Sequence, residues 1–281
     1  MFDYSLYQIG RMVANYTPLA VAYKVAVFFS DAHYLFADKD KRFVGENLRA
    51  IFPEKPDKEI FRIRHQMCRN FAKYLVDFFR MGKINQEFMD RHVKLENLRY
   101  FDELLKEGKG AIVLSAHLGN WELGAAVLGY LGYPFWAVAL EHKDPRVNGF
   151  FNRQRNLNNV QVIPFGRAAR QCLRNLAENK LLGLVGDRDF SEKGVESDFF
   201  GKPSLFPQGP AALALKTGAS IVPTLSIRQK DGTFVLKIEK PIRPAAGDTI
   251  LSLTNAYKSV LEKYIRQYPE QWYMFRRFWR E

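Results

Sequence analysis

Two side chains in residues 111–130, AIVLSAHLGNWELGAAVLGY, have the types and spacing for proton-transfer chemistry: His117 and, after four intervening residues, Glu122. Neutral imidazole titrates near working pH and serves as a general base. A carboxylate folded back onto one ring nitrogen orients the ring and stabilises the imidazolium that forms, which is the base-and-orienter half of a catalytic triad. Read from spacing alone, the pair is equally a loop histidine beside a capping glutamate. No G-x-S-x-G elbow occurs in the chain. That absence leaves room for a nucleophile supplied by a substrate.

The elements that position this pair are legible around it. Residues 111–114 form an apolar run of the length a buried strand needs. A turn containing Gly119 and Asn120 follows, with Asn120 a suitable N-cap, and residues 121–130 read as a helix rich in small apolar side chains. A strand feeding a tight turn and a helix is where α/β folds place their chemistry, at the carboxyl end of the sheet.

Composition narrows the class. The 281 residues are 47% hydrophobic and 14% aromatic, enough for a sizeable core and for apolar surface with a further use. The formal net charge is +12 and the sequence pI about 9.6, a balance that favours acidic partners such as nucleic acid, anionic lipid or an acidic carrier protein. Cys68 and Cys172 stand far apart without metal spacing, which speaks for a reducing compartment and against a disulfide scaffold or a zinc site. Asp3 and the lack of a charged region before an apolar run argue against a cleaved signal. The expected location is the cytoplasmic side.

Along the chain, residues 4–36 read as one helix. Its most apolar part, residues 17–29, is interrupted by Lys24 and falls short of a membrane span. Its aromatic and basic residues suit a helix lying in a membrane interface. Residues 39–51 and 57–81 continue helical. From residue 100 the pattern changes to alternating strands (134–140, 160–163 and 181–185) and helices (144–158, 167–178). That alternation predicts an α/β fold with a mostly parallel central sheet flanked by helices. Residues 1–100 are expected to be a helical, membrane-associating part of the same unit, and residues 101–281 the α/β core. Asp187 and Asp189 leave the end of the fourth strand, and residues 186–208 read as a long functional loop. Gly209-Pro210 then starts a helix whose free N–H groups suit a phosphate. Residues 221–227 and 233–239 form a hairpin around Asp231-Gly232. Glu141-His142-Lys143 reads as solvated loop charge. The tail, PEQWYMFRRFWRE, mixes aromatic residues with Arg276, Arg277 and Arg280, a composition shared by single-stranded nucleic-acid and membrane-interface segments.

Five motifs in order resemble the bacterial lysophospholipid acyltransferase superfamily, in the branch of the lipid A late acyltransferases and the phosphatidylinositol mannoside acyltransferases. They are HLGNWE (117–122), DRD (187–189), GVESDFFG (194–201), GPAALA (209–214) and the closing PEQW with RRF (269–278). The resemblance covers roughly residues 40–280. It implies acyl transfer from a thioester of acyl carrier protein or coenzyme A to a hydroxyl of a membrane glycolipid, first a lipid A precursor, at the cytoplasmic face of the inner membrane, with no metal or cofactor. His117 is then the base and Glu122 its orienter. Arg155 matches a family arginine proposed to stabilise the oxyanion, with Arg153 the fallback. Glu196 matches a glutamate that contacts the histidine in the mannoside branch. Asn120 and Gly209 are expected to position substrate, and Asp187 and Asp189 to position substrate or serve the architecture rather than take part directly in the chemistry.

The nearest rivals within this chemistry act on a phosphatidylinositol mannoside, a lysophospholipid or an amino-lipid. A rival of another class is a non-catalytic basic protein that binds membranes. The expected partners are the thioester donor, coenzyme A or acyl carrier protein, the glycolipid and an anionic membrane surface, not nucleic acid. A serine hydrolase is disfavoured by the missing elbow.

Overall fold

The computed structural model describes residues 2–189 and 194–279. Helices α1 (Phe2–Tyr16), α2 (Leu19–Phe36), α3 (Asp38–Ile51), α4 (Asp57–Phe79) and α5 (Gln86–His92) lead to strand β1 (Val93–Glu96) and helix α6 (Arg99–Lys106). The core continues as β2 (Ala111–Ser115), α7 (Trp121–Tyr130), β3 (Phe135–Ala139), α8 (Pro145–Asn156), β4 (Gln161–Pro164), α9 (Ala168–Ala177) and β5 (Leu181–Val185). A hairpin of β6 (Val195–Phe199) and β7 (Lys202–Phe206) precedes α10 (Gly209–Thr217), β8 (Ser220–Arg228), β9 (Phe234–Ile238) and α11 (Ile250–Gln267).

The seven-stranded sheet has the order β1-β9-β8-β2-β5-β3-β4. All neighbours run parallel except the hairpin pair β8 and β9. This is the mostly parallel sheet that strand–helix alternation predicts. β2 and β5 read as continuous apolar runs because both of their faces are covered. Ile112 and Leu114 face one buried cluster, shared with α9, α10 and α11. Ala111 and Val113 face the other, shared with α6, α7 and α8.

Three expectations change. The helix read over residues 4–36 is two helices, because Pro18 lacks an amide hydrogen and disfavours helical geometry in the residue before it. The sheet gains an edge strand, β1, within the segment read as wholly helical. The loop over 186–208 contains a hairpin, turned by Phe200 and Gly201, both at positive φ. Its Phe199 and Phe206 are fully buried against Trp272 and Phe278. Phe190, Ser191, Glu192 and Lys193 of that loop, and Arg280 of the tail, lie outside the described residues.

A buried polar cluster fixes the helices to the sheet. Asp77 of α4 pairs with Arg228 at the end of β8 and accepts from the Tyr23 hydroxyl of α2 and, at 3.0 Å, from Asn120 Nδ2. Arg228 also donates to the Tyr23 oxygen at 3.0 Å. Removing one partner of such a pair strands the other charge without solvent. Asp77→Ala is expected to cost about 3–5 kcal/mol in urea unfolding. A loss under about 1 kcal/mol, the range of an exposed pair, would show that the cluster does not hold the helices.

Candidate active site

Strand register explains how residues 70 positions apart meet. β2 and β5 are adjacent and parallel, with Ser115 opposite Val185. Two residues beyond each of those lie His117 and Asp187. The connections leaving the two strands cross to opposite faces of the sheet, so the pair sits at the kind of crevice where open α/β sheets bind ligands.

His117 Nδ1 lies 2.9 Å from Asp187 Oδ1, and the His117 amide donates to Oδ2 at 3.1 Å. Trp272 Nε1 also donates to Oδ2, at 2.9 Å. Burial alone would raise the Asp187 pKa, but the His117 imidazole and these donors outweigh it and hold the carboxyl below the usual range. An ionised acceptor at Nδ1 fixes the ring tautomer with the proton on Nδ1 and leaves Nε2 as the basic nitrogen.

The turn that carries His117 is clamped from two sides. The Asn120 amide donates to Ser226 O at 2.7 Å, and the Gly119 amide to Gln271 O at 2.9 Å. Gly119 has φ +66°, and a Cβ there would sit 2.1 Å from Ser226 O, so the position requires glycine. Tyr273 N donates to His117 O at 2.8 Å, and Leu118 bridges to Trp272. The aromatic half of the tail, Trp272–Met274, is therefore buried scaffold for the histidine. Arg276 and Arg277 remain exposed, with Arg277 bound to Glu46.

The pairing expected between His117 and Glu122 does not form. Asn120 caps α7 by accepting from Leu123 N, which starts the helix and sets the Glu122 carboxylate toward Arg155 of α8. Arg155 binds it through Nη2 at 2.6 Å and Nε at 3.0 Å. Burial would lower the Arg155 pKa, but Glu122 outweighs that and keeps the guanidinium charged.

A cavity of about 870 Å³ opens at His117 and also borders Glu122 and Arg155, a size in the range of about 300–1,000 Å³ that small-molecule sites occupy. Its lining comes from two sets of elements. Between α7 and the sheet lie Val113, Ala125, Leu128, Phe135 and Thr224, most of them buried. From α9 and α10 come Leu173 and Leu213, half-buried, and Lys216, exposed.

All of residues 1–281 match the bacterial lipid A biosynthesis acyltransferase family. The chain belongs to that family. A phosphatidylinositol mannoside acyltransferase of Mycolicibacterium smegmatis is 25% identical over 97% of this chain and 90% of its own length. One of Mycobacterium tuberculosis H37Rv is 28% identical over 76% of this chain and 70% of its own.

The residues singled out for this acyltransferase divide accordingly. His117, Glu122, Arg155, Asp189 and Gly209 border the cavity. Asp187 stands behind His117, fully buried. Asn120 is not a cavity residue: it is 1% exposed, and its amide serves the helix cap and Asp77. Arg153 points to solvent on α8, and Glu196 is exposed on β6, opposite Leu205. Neither borders the cavity. His142, read as solvated loop charge, lines the cavity with its ring 4.3 Å from Phe151. Burial and Arg155 together lower its pKa.

Asp187→Asn in the acyltransferase keeps the shape of the carboxylate but favours the wrong imidazole tautomer. Turnover is expected to fall by about 10³–10⁴-fold with little change in KM. A loss of only a few-fold would return the orienting role to another group.

Proposed function

We propose that this acyltransferase moves a fatty acyl chain from a thioester donor, coenzyme A or acyl carrier protein, to a hydroxyl of a membrane glycolipid. The observation that carries the reading is His117 at the cavity wall, with Nδ1 bound to a buried carboxylate and Nε2 left as the base. The acceptor oxygen attacks the thioester carbonyl as Nε2 takes its proton. Arg155, held by Glu122, stabilises the tetrahedral oxyanion. The C–S bond then breaks, and the imidazolium returns its proton to the thiolate. The mostly buried lining under α7 takes the donor chain, and the more exposed lining from α9 and α10 takes a chain of the acceptor lipid. Asp189 and Gly209 border the same cavity.

The acceptor is a lipid A precursor or a phosphatidylinositol mannoside. The family description supports the first and the names of the two relatives the second. Association with a membrane is supported by the exposed apolar side chains Leu6, Ile9 and Met12 of α1 and Phe28, Phe29 and Phe36 of α2. By length and apolarity, the 18 residues of α2 are also enough to cross a bilayer. Against a crossing, Asp31 of α2 binds Arg69 of α4 at 2.7 Å and His65 at 3.0 Å. These polar bonds, with Tyr23, favour a helix lying in the interface, its other face on α4.

Mass-spectrometric assay with both donor types and the candidate acceptors tests the reaction. His117→Ala is expected to abolish transfer while leaving the folded circular-dichroism spectrum intact. Wild-type turnover in that variant would remove the mechanism, and no turnover by the native chain with any donor would favour a non-catalytic membrane protein. Ala125→Leu narrows the cavity under α7 and is expected to shift donor preference toward shorter chains. An unchanged chain-length profile would place the donor chain elsewhere.

A further inference from the structure

Helix α4 brings Tyr74 to the wall of the cavity at His117. Its ring stacks on Phe71 and on the Trp121 indole, with centroids 5.5 and 4.6 Å away. The same indole meets the His117 ring edge-on at 5.2 Å. One shared neighbour therefore sets both side chains.

Buried tyrosines almost always give their hydroxyl a hydrogen-bond partner. Tyr74 is 5% exposed, and its hydroxyl has none among the described residues. The oxygen is not sealed, however. Among the described residues, the side-chain atoms both closed to solvent and without a hydrogen bond are Asn175 Nδ2, Thr254 Oγ1 and Trp279 Nε1. The Tyr74 hydroxyl thus keeps its access to solvent, and the space that Tyr74 borders is the cavity. A donor fixed by stacking, unmatched within the protein and open to a substrate cavity is a group preorganised for a ligand oxygen.

Glu122 and Arg155 border the same cavity. Burial, and after it the Glu122 charge, pushes the Tyr74 phenol well above its usual range, so it stays a neutral donor at working pH. Arg155 alone is an incomplete oxyanion site. Glu122 engages its Nε and Nη2, and Asn152 Oδ1 lies 3.4 Å from Nη1. Part of its hydrogen-bonding capacity, and much of its charge, is already matched.

We propose that Tyr74 is a further catalytic residue, whose hydroxyl donates a hydrogen bond to the carbonyl oxygen of the thioester as that oxygen becomes negative. The assignment rests on the acyl-transfer reading above and gives the oxyanion a second donor beside Arg155. As the acceptor oxygen bonds to the carbonyl carbon, the π pair moves onto the carbonyl oxygen, where Tyr74 and Arg155 stabilise it and each keeps its proton. When that pair re-forms the C=O bond, the C–S bond breaks and the thiolate takes the proton held by His117.

Tyr74→Phe removes one oxygen and keeps the stacked ring, so steady-state kinetics of the full-chain variant test the hydroxyl itself. A fall in kcat of about 10²–10³-fold is expected, with KM for donor and acceptor nearly unchanged. The acid limb of the pH–rate profile, set by His117, is expected to stay in place, because Tyr74 neither takes nor gives up a proton. The midpoint of urea unfolding is expected to hold or rise, since the substitution breaks no hydrogen bond within the protein. Native kcat in Tyr74→Phe overturns the proposal while leaving the acyl-transfer reading in place. A raised KM alone also overturns it, because the hydroxyl would then bind substrate and transition state equally. So does a loss of kcat that comes with a lowered unfolding midpoint or a shifted acid limb, which would make Tyr74 a support for the histidine turn. Absence of turnover by the native chain with every thioester removes both readings together.

Discussion

A carboxylate sealed from water has to find its hydrogen bonds inside the protein, and Asp187 finds three. They come from the ring and the backbone of His117 and from the indole of Trp272. Each donor belongs to a segment that must be in place for the carboxylate to stay ionised: the turn after β2 and the chain after α11. Desolvation would otherwise protonate it, and a neutral acid does not steer an imidazole. The chemistry of the site thus depends on three distant parts of the chain meeting at one pair of oxygens.

The surrounding architecture serves that meeting. Gln271, just before Trp272, pairs through its side-chain amide with the backbone of Arg228, at 3.0 and 2.9 Å. Arg228 in turn binds Asp77 and Tyr23, and Asp77 binds the Asn120 that caps α7. One network therefore runs from α2, whose other face is exposed and apolar, to both sides of the histidine turn. The Glu122–Arg155 pair occupies the neighbouring wall as a separate unit. Each charge there satisfies the other in a place where either alone would be costly.

Much of this was legible in the sequence, and the limits have physical causes. β2, β5 and the β8–β9 hairpin are visible because buried strands are apolar runs and because Asp-Gly marks a tight turn. His117 and the N-cap role of Asn120 are local features, readable from a dozen residues. Nearness in sequence misleads for Glu122: α7 begins at Trp121, so the helix carries the carboxylate to Arg155 instead of folding it back on the ring. The partner of His117 is set by parallel register, which no local pattern contains, although Asp187 and His117 each stand two residues past the end of an apolar strand. The tail misleads for another reason. Aromatic residues beside arginines look like a surface motif, yet Trp272 and Tyr273 are buried, and among the described tail residues Arg276 and Arg277 are the exposed ones. Arg153, the fallback for Arg155, and Glu196, expected from the resemblance to contact the histidine, stand exposed on α8 and β6 and do not border the cavity.

The central claim is that His117 is held with its proton on Nδ1, toward Asp187, and its lone pair on Nε2, toward the cavity. The most direct measurement is the two-bond ¹H–¹⁵N correlation spectrum of the imidazoles in protein labelled with ¹⁵N-histidine, recorded above the titration of the ring. The account predicts the Nδ1–H tautomer for His117, lost when Asp187 is replaced by alanine. A neutral ring protonated on Nε2, or a tautomer indifferent to residue 187, would contradict it.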